Sequence, residues 1–172
     1  LAVENEESDL PAADQRTEKE IQQEDVELLD HFGGLPKPPK LPPPKGLKQM
    51  PKPNRTWVDM KKREVVIDGY ISLREGMLEM FACPVGTKEH ESVVAVYSWA
   101  QVAHAALLAV GAETGTPVSF RPEFKPPTGM EIEIEVRWLD DKKQWQSARA
   151  QEWVRNARTK KSMKHPWVFA GS

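Results

Sequence analysis

The sequence predicts an α+β domain: an antiparallel or mixed sheet packed on one main buried helix, preceded by a long extended proline-rich tail. Three observations carry this. Trp99, Val102, Ala103, Ala106, Leu107 and Val110 recur at the 3.6-residue spacing of a helix. Ile132, Ile134, Val136 and Trp138 alternate with Glu131, Glu133, Glu135 and Arg137, the period of a half-buried strand. Prolines 36, 38, 39, 42, 43, 44, 51 and 53 alternate with lysines, a composition that favours extended polyproline II and leaves little to pack.

Taken in chain order, residues 1–34 form an acidic tail. Between Glu4 and Asp30 the carboxylates are opposed only by Arg16 and Lys19. A helical segment over Glu18–Asp30 would present Ile21, Val26, Leu28 and Leu29, a poor stripe that makes it marginal in isolation; Gly33 and Gly34 end it. Residues 35–56 form the linker, which is expected to lack regular secondary structure because proline removes backbone donors and fixes φ. From Lys37 to Arg63 the charges are basic except for Asp59. Separated charge blocks of this kind suggest a solvated tail that makes electrostatic contacts. The linker lysines are expected to lie on acidic surface, either Glu131, Glu133 and Glu135 or a partner's carboxylates.

The folded domain is expected over 57–172. Arg63–Ile71 reads as a strand with a turn at Asp68-Gly69, and Gly76–Cys83 as an apolar, central strand. Glu91–Val96 is a short third one. Ser98 is the expected N-cap of a helix over Trp99–Val110, apolar on nearly all sides and so buried, with Gly111 ending it as a C′ glycine. After a proline- and glycine-rich loop comes the strand Glu131–Trp138. Asp140–Lys143 is a polar turn, Gln144–Val154 the returning partner, and Trp167–Phe169 a last short strand. Trp99 and Trp138 are expected in the core; Trp57, Trp145, Trp153 and Trp167 lie near strand ends, where large aromatics close a small core.

Composition excludes several classes. Cys83 is the only cysteine, so there is no intrachain disulfide and no cysteine-only metal site. No apolar run approaches the ~18 residues that a membrane span needs. The basic linker has no interleaved aromatics, so no nucleic-acid partner is expected. The chain opens on Leu1 rather than Met, as expected of a processed product whose secretory signal has been removed.

The candidate site is the polar cluster Lys88, Glu89, His90 and Glu91, just upstream of a helix whose one histidine, His104, is expected to be buried. Buried polar groups must satisfy each other or bind something. In the structural reading the His104 ring bonds a backbone carbonyl or a glutamate of this segment; in the functional ones, Lys88, Glu89, His90, Glu91 and His104 bind a small molecule or peptide. Cys83, His90 and His104 are also residue types that a transition metal takes, with Glu89 or Glu91 completing the shell, although the spacing matches no standard zinc motif. Cys83 as nucleophile with His104 as base is a further arrangement, set against inert packing of a thiol at the end of an apolar strand. His31 and His165 are incidental.

The ordered set Gly76-x-Leu-Glu79, Ala82-Cys83, Lys88–Ser92, His104–Leu108 with Gly111, Glu152-Trp153 and Trp167–Ser172 resembles the YdjY-domain family, in particular its extracytoplasmic members of planctomycete type. The resemblance covers roughly Arg63–Ser172 and implies a periplasmic or other extracytoplasmic location. It implies no defined activity. The family's ferredoxin-like description suggests iron–sulfur clusters in some members, but a single cysteine excludes one here. Members are expected to continue past Phe-Ala-Gly-Ser, so the last element here is expected to be missing or supplied by a neighbour. No cofactor is expected, a transition metal being the one considered. The function expected is that of an accessory or assembly subunit, more a binding protein than an enzyme, that docks on other protein subunits through its tail. The alternative is a metal- or small-ligand-dependent enzyme or sensor centred on His90, His104 and Cys83.

Overall fold

Val58, Ala106 and Val110, flanked by Met50 and Val65, form the core at which the one long helix meets the first sheet. The structure is a computed structural model and describes residues 43–171. The expected helix near residues 18–30 and the first half of the linker, 35–42, lie outside the described residues.

Strands β1 (Lys48–Gln49), β2 (Thr56–Asp59) and β3 (Glu64–Ile67) make an antiparallel sheet in that order, with Lys48 opposite Val58 and Thr56 opposite Ile67. Strand β1 corrects the expectation of a linker without regular structure. Residues 46–50 are its proline-free stretch, so their N–H groups remain available to a ladder.

At Asp68 the chain changes sheet. The expected hairpin turn at Asp68-Gly69 is instead a switch: the Asp68 N–H bonds to the Arg55 carbonyl (3.0 Å) and its own carbonyl accepts from Tyr97 (2.9 Å). The Asp68 carboxylate accepts from Arg55 Nε at 2.6 Å, and the guanidinium lies 5.3 Å from the centre of the Trp57 ring. Glycine is required at 69 by close approach, since a Cβ there would lie 2.5 Å from the Ala95 carbonyl oxygen. The second sheet has the order β4-β6-β5, from β4 (Gly69–Ile71), β5 (Met80–Pro84) and β6 (Ser92–Val96). Strand β6 is antiparallel to β4 and parallel to β5. The apolar segment read as central is therefore an edge, and the short Ser92–Val96 is the central strand.

Helix α1 spans Ala100–Ala109. Its cap is not Ser98. The Trp99 N–H donates to Asn54 Oδ1 at 2.9 Å, while Ser98 Oγ accepts from the buried Thr56 hydroxyl at 2.8 Å. The C-terminus follows the expected pattern. Gly111 has φ +83, its N–H reaches the Leu108 carbonyl and that of Ala112 reaches Leu107, the paired bonds of a Schellman motif. Arg63 completes it by donating to the Val110 and Gly111 carbonyls. Ala106 and Val110 are buried, yet Leu108 is 47% exposed, so the helix is covered on one side rather than on nearly all. Alanines on its outer face make that exposure inexpensive.

The strand expected over 131–138 is two strands. β7 (Met130–Ile132) pairs with β10 (Trp167–Phe169), whereas β8 (Glu135–Leu139) pairs with β9 (Trp145–Arg149). The alternation persists across the break: Ile132, Ile134, Val136 and Trp138 are half-buried and the charged residues exposed. Strand β10 joins several parts, because Phe169 packs on His104 (5.0 Å between ring centres), Trp167 packs on Phe81 (5.6 Å), and the Phe169 carbonyl accepts from Gly115 N–H. Gly129 accommodates the same carbonyl, which a Cβ would meet at 2.2 Å.

Candidate functional site

Parallel neighbours in a sheet ordinarily need a crossover of about a dozen residues. Here β5 and β6 are joined by residues 85–91 alone. The connection must run back along a five-residue strand, about 16 Å at ~3.3 Å per residue, and it does so as a turn over residues 85–87 followed by a 3-10 turn. The polar cluster is this connection, and its side chains hold it in place.

Gly86, with φ +83, turns the chain after β5. The Glu89 carboxylate closes that turn by accepting the Gly86 N–H, and it also accepts the Tyr70 hydroxyl at 3.3 Å from across the sheet. Glu89–Glu91 is a single 3-10 turn leading into β6. Lys88 bridges two carboxylates, Glu79 at 2.8 Å and Glu91 at 2.6 Å, which precede the two parallel strands. The Glu79 N–H bonds to the Glu91 carbonyl beside them (3.1 Å). Hydrogen bonds that Lys88 donates to Glu79 and Glu91 push its pKa up, and the same ammonium holds the Glu79 carboxyl below its ordinary range. Burial, then the neighbouring Glu89 carboxylate, pushes the Tyr70 hydroxyl up to about 12.

The remaining candidates do not join this network. The His90 side chain is 77% exposed, 3.8 Å from Glu91. Cys83 is 1% exposed, opposite Ala95 in the sheet, and no hydrogen bond links its thiol to His104 among the described residues. His104 is half-buried rather than buried; its ring lies against Phe169, and no hydrogen bond among the described residues takes it to the Lys88–Glu91 segment. The expected bond between helix and loop is thus replaced by a ring contact. Among the described residues no three His, Cys, Asp or Glu side chains gather closely enough to hold a metal ion, so Cys83, His90 and His104 do not form a ligand set. No helix among them is long and apolar enough to cross a membrane. His165 is exposed in its loop.

Three features escaped the sequence reading. Residues 115–129 form a pinned lobe: Ser119 and Lys125 exchange backbone bonds, and the Thr116 and Thr128 side chains meet at 2.9 Å. The lobe holds Phe120 (72% exposed) and Phe124 (65%) with ring centres 5.7 Å apart. Two phenylalanines in an otherwise polar, proline-rich loop were the available signal. Trp145, expected to close the core, is 56% exposed above a cleft of 340 Å³ shared with Glu135, Arg137, Gln146 and Ser147. It and Leu139 face each other on the outer side of the hairpin. Trp99 is likewise surface-exposed, whereas Trp57 is the large buried aromatic. Finally, Ser92 Oγ, Trp57 Nε1, Gln151 Oε1 and Trp167 Nε1 are buried without a hydrogen-bond partner among the described residues.

Comparison with known proteins matches the YdjY domain over residues 56–172. Searches of curated proteins and of solved structures return no match. The matched span takes in Thr56, β2 through β10, the crossover with Lys88–Glu91 and the helix, and with them the chain belongs to the YdjY domain family.

Proposed function

We propose that the chain is an accessory or assembly subunit, working outside the cytoplasm, that docks on a larger protein complex through its N-terminal tail. The observation that carries this reading is how the polar cluster is used. Lys88 is paired with both Glu79 and Glu91, and Glu89 is engaged by Gly86 and Tyr70. Such a cluster braces a crossover and leaves little for a substrate. The acid block between Glu4 and Asp30 has few basic residues of its own to oppose it, and an extended charged segment can cover a large partner surface. The exposed Phe120–Phe124 pair supports a second contact, since paired aromatics held out on a braced lobe are characteristic of interaction surfaces.

The test is affinity capture with the full-length chain. One variant carries amides in place of the carboxylates between Glu4 and Asp30; another carries Phe120→Ser and Phe124→Ser. Loss of the captured proteins with the first supports docking by the tail, and loss with the second adds the lobe. Equal capture by all three chains refutes the proposal. Cell fractionation tests the location.

A further inference from the structure

The break between β7 and β8 opens a groove of 290 Å³ lined by Glu131, Ile132, Glu133, Arg149, Gln151 and Pro166. Glu131 has no ion-pair partner among the described residues, and Gln151 Oε1 is buried there with no donor. Glu133 pairs with Arg149 at 3.0 Å, but both side chains are more than two-thirds exposed, so the pair is readily exchanged. The groove thus offers acceptors and carboxylates over an apolar residue, Ile132, with a proline at its rim. It suits a chain that carries ammonium groups between apolar rings.

The geometry points to residues 35–42 of this same chain, Leu-Pro-Lys-Pro-Pro-Lys-Leu-Pro, as the occupant of the groove, with Lys37 or Lys40 against Glu131 and Glu133. Charge complementarity is one argument. Reach is the other. Lys48 lies opposite Val58 and Gln49 opposite Trp57, so the chain upstream of β1 leaves beside the β2–β3 turn. At that end Arg63 touches the Met130 sulfur (3.4 Å), where β7 begins. Two strand spacings, about 10 Å, separate β1 from β3, and three residues of strand, about another 10 Å, separate Met130 from Glu133. The chain turns at Lys45-Gly46, where Gly46 has φ +82; at about 3.1 Å per residue in polyproline II, the stretch from Pro44 back to Lys37 spans about 22 Å and covers this path. Proline fixes φ, which lowers the entropy that such a segment loses on docking. This self-docking is independent of the proposed partner: it uses residues 35–42 and leaves the acid block free.

Zero-length carbodiimide cross-linking of the full chain, read by peptide mass spectrometry on an equal mixture of isotopically light and heavy protein, tests it. The expected product joins Lys37 or Lys40 to Glu131 or Glu133 within one chain at low salt and fades at high salt, as an exposed ion pair must. Absence of that link at low salt overturns the proposal, and so does a link of which about half joins light to heavy chains, the share that random pairing gives when a second copy is the occupant. As a second readout, trypsin cleavage after Lys40 is expected to accelerate several-fold in the Glu131→Gln/Glu133→Gln variant; an unchanged rate overturns the proposal.

Discussion

Replacing Asn54 by alanine tests the way the linker and the helix are joined. Asn54 is 5% exposed; its Oδ1 accepts the Trp99 N–H at 2.9 Å and its Nδ2 donates to the Pro51 carbonyl at 3.0 Å. Alanine removes both bonds. Loss of each bond costs about 1 kcal/mol, so about 2 kcal/mol is expected in all. For a domain of this size that is a fall of about 8 °C in melting temperature, taking ~4 °C per kcal/mol. Thermal unfolding followed by circular dichroism reads it, and Asn54→Asp, which keeps the acceptor and loses the donor, should fall about half as far. The rival cap, Ser98, supplies the control. Its hydroxyl accepts from buried Thr56, so Ser98→Ala strands that donor, and adding Thr56→Val should recover part of the loss because both partners are then apolar. A fall of less than about 2 °C for Asn54→Ala, or a double variant worse than Ser98→Ala alone, would refute the assignment.

Lys88→Met is expected to lower the melting temperature at neutral pH by leaving Glu79 and Glu91 facing each other. Glu79 has its carboxyl held below the ordinary value by Lys88, so that stabilisation is present above about pH 4.5 and lost as pH falls through the lowered value; wild type and variant should converge in acid, and a gap independent of pH would contradict this. The Tyr70 hydroxyl is raised to about 12 and Tyr97 also upward, chiefly by burial. Their stabilisation is complete below about pH 10 and is lost as pH rises through the raised values, about 12 for Tyr70. Tyrosinate absorbance of the native protein should therefore appear later than in denaturant, and Glu89→Gln should bring the Tyr70 midpoint part of the way down. His104→Leu should change stability by less than about 1 kcal/mol, since the ring packs on Phe169 without a hydrogen bond among the described residues; a larger loss in urea unfolding would mean that the imidazole has a polar partner.

What could be read from the sequence was whatever a short window determines. The alternation over 131–138 identified the inward side chains because pleating dictates it locally, and Gly111 marked the helix end because a left-handed C′ residue is a local demand. The helix start was misread because Trp99 is its N-cap and the Trp99 N–H is held by Asn54, on a segment far back in the chain that looks like linker. The same holds for strand order. Apolarity at 76–83 suggested a central strand, but which strand takes the middle is decided by pairing, and Ser92–Val96 takes it. The candidate site was located but its character was not. Lys88–Glu91 has the composition of a binding loop, and only the placement of Glu79 and Tyr70 shows that its charges brace a short crossover. Trp145 looked like a core residue because composition cannot tell which side of a hairpin faces out.

The three residues of β10 have a consequence for how the domain comes into being. They pair with β7, meet the helix through His104, meet β5 through Phe81, and receive the Gly115 N–H. All of these partners are synthesised before the strand that covers them. Until Trp167–Phe169 leaves the ribosome, the nascent chain holds Phe81, His104 and the ladder groups of β7 uncovered, a surface for chaperones and proteases. A chain cut before Trp167 would keep that surface permanently, so closure of this domain depends on β10.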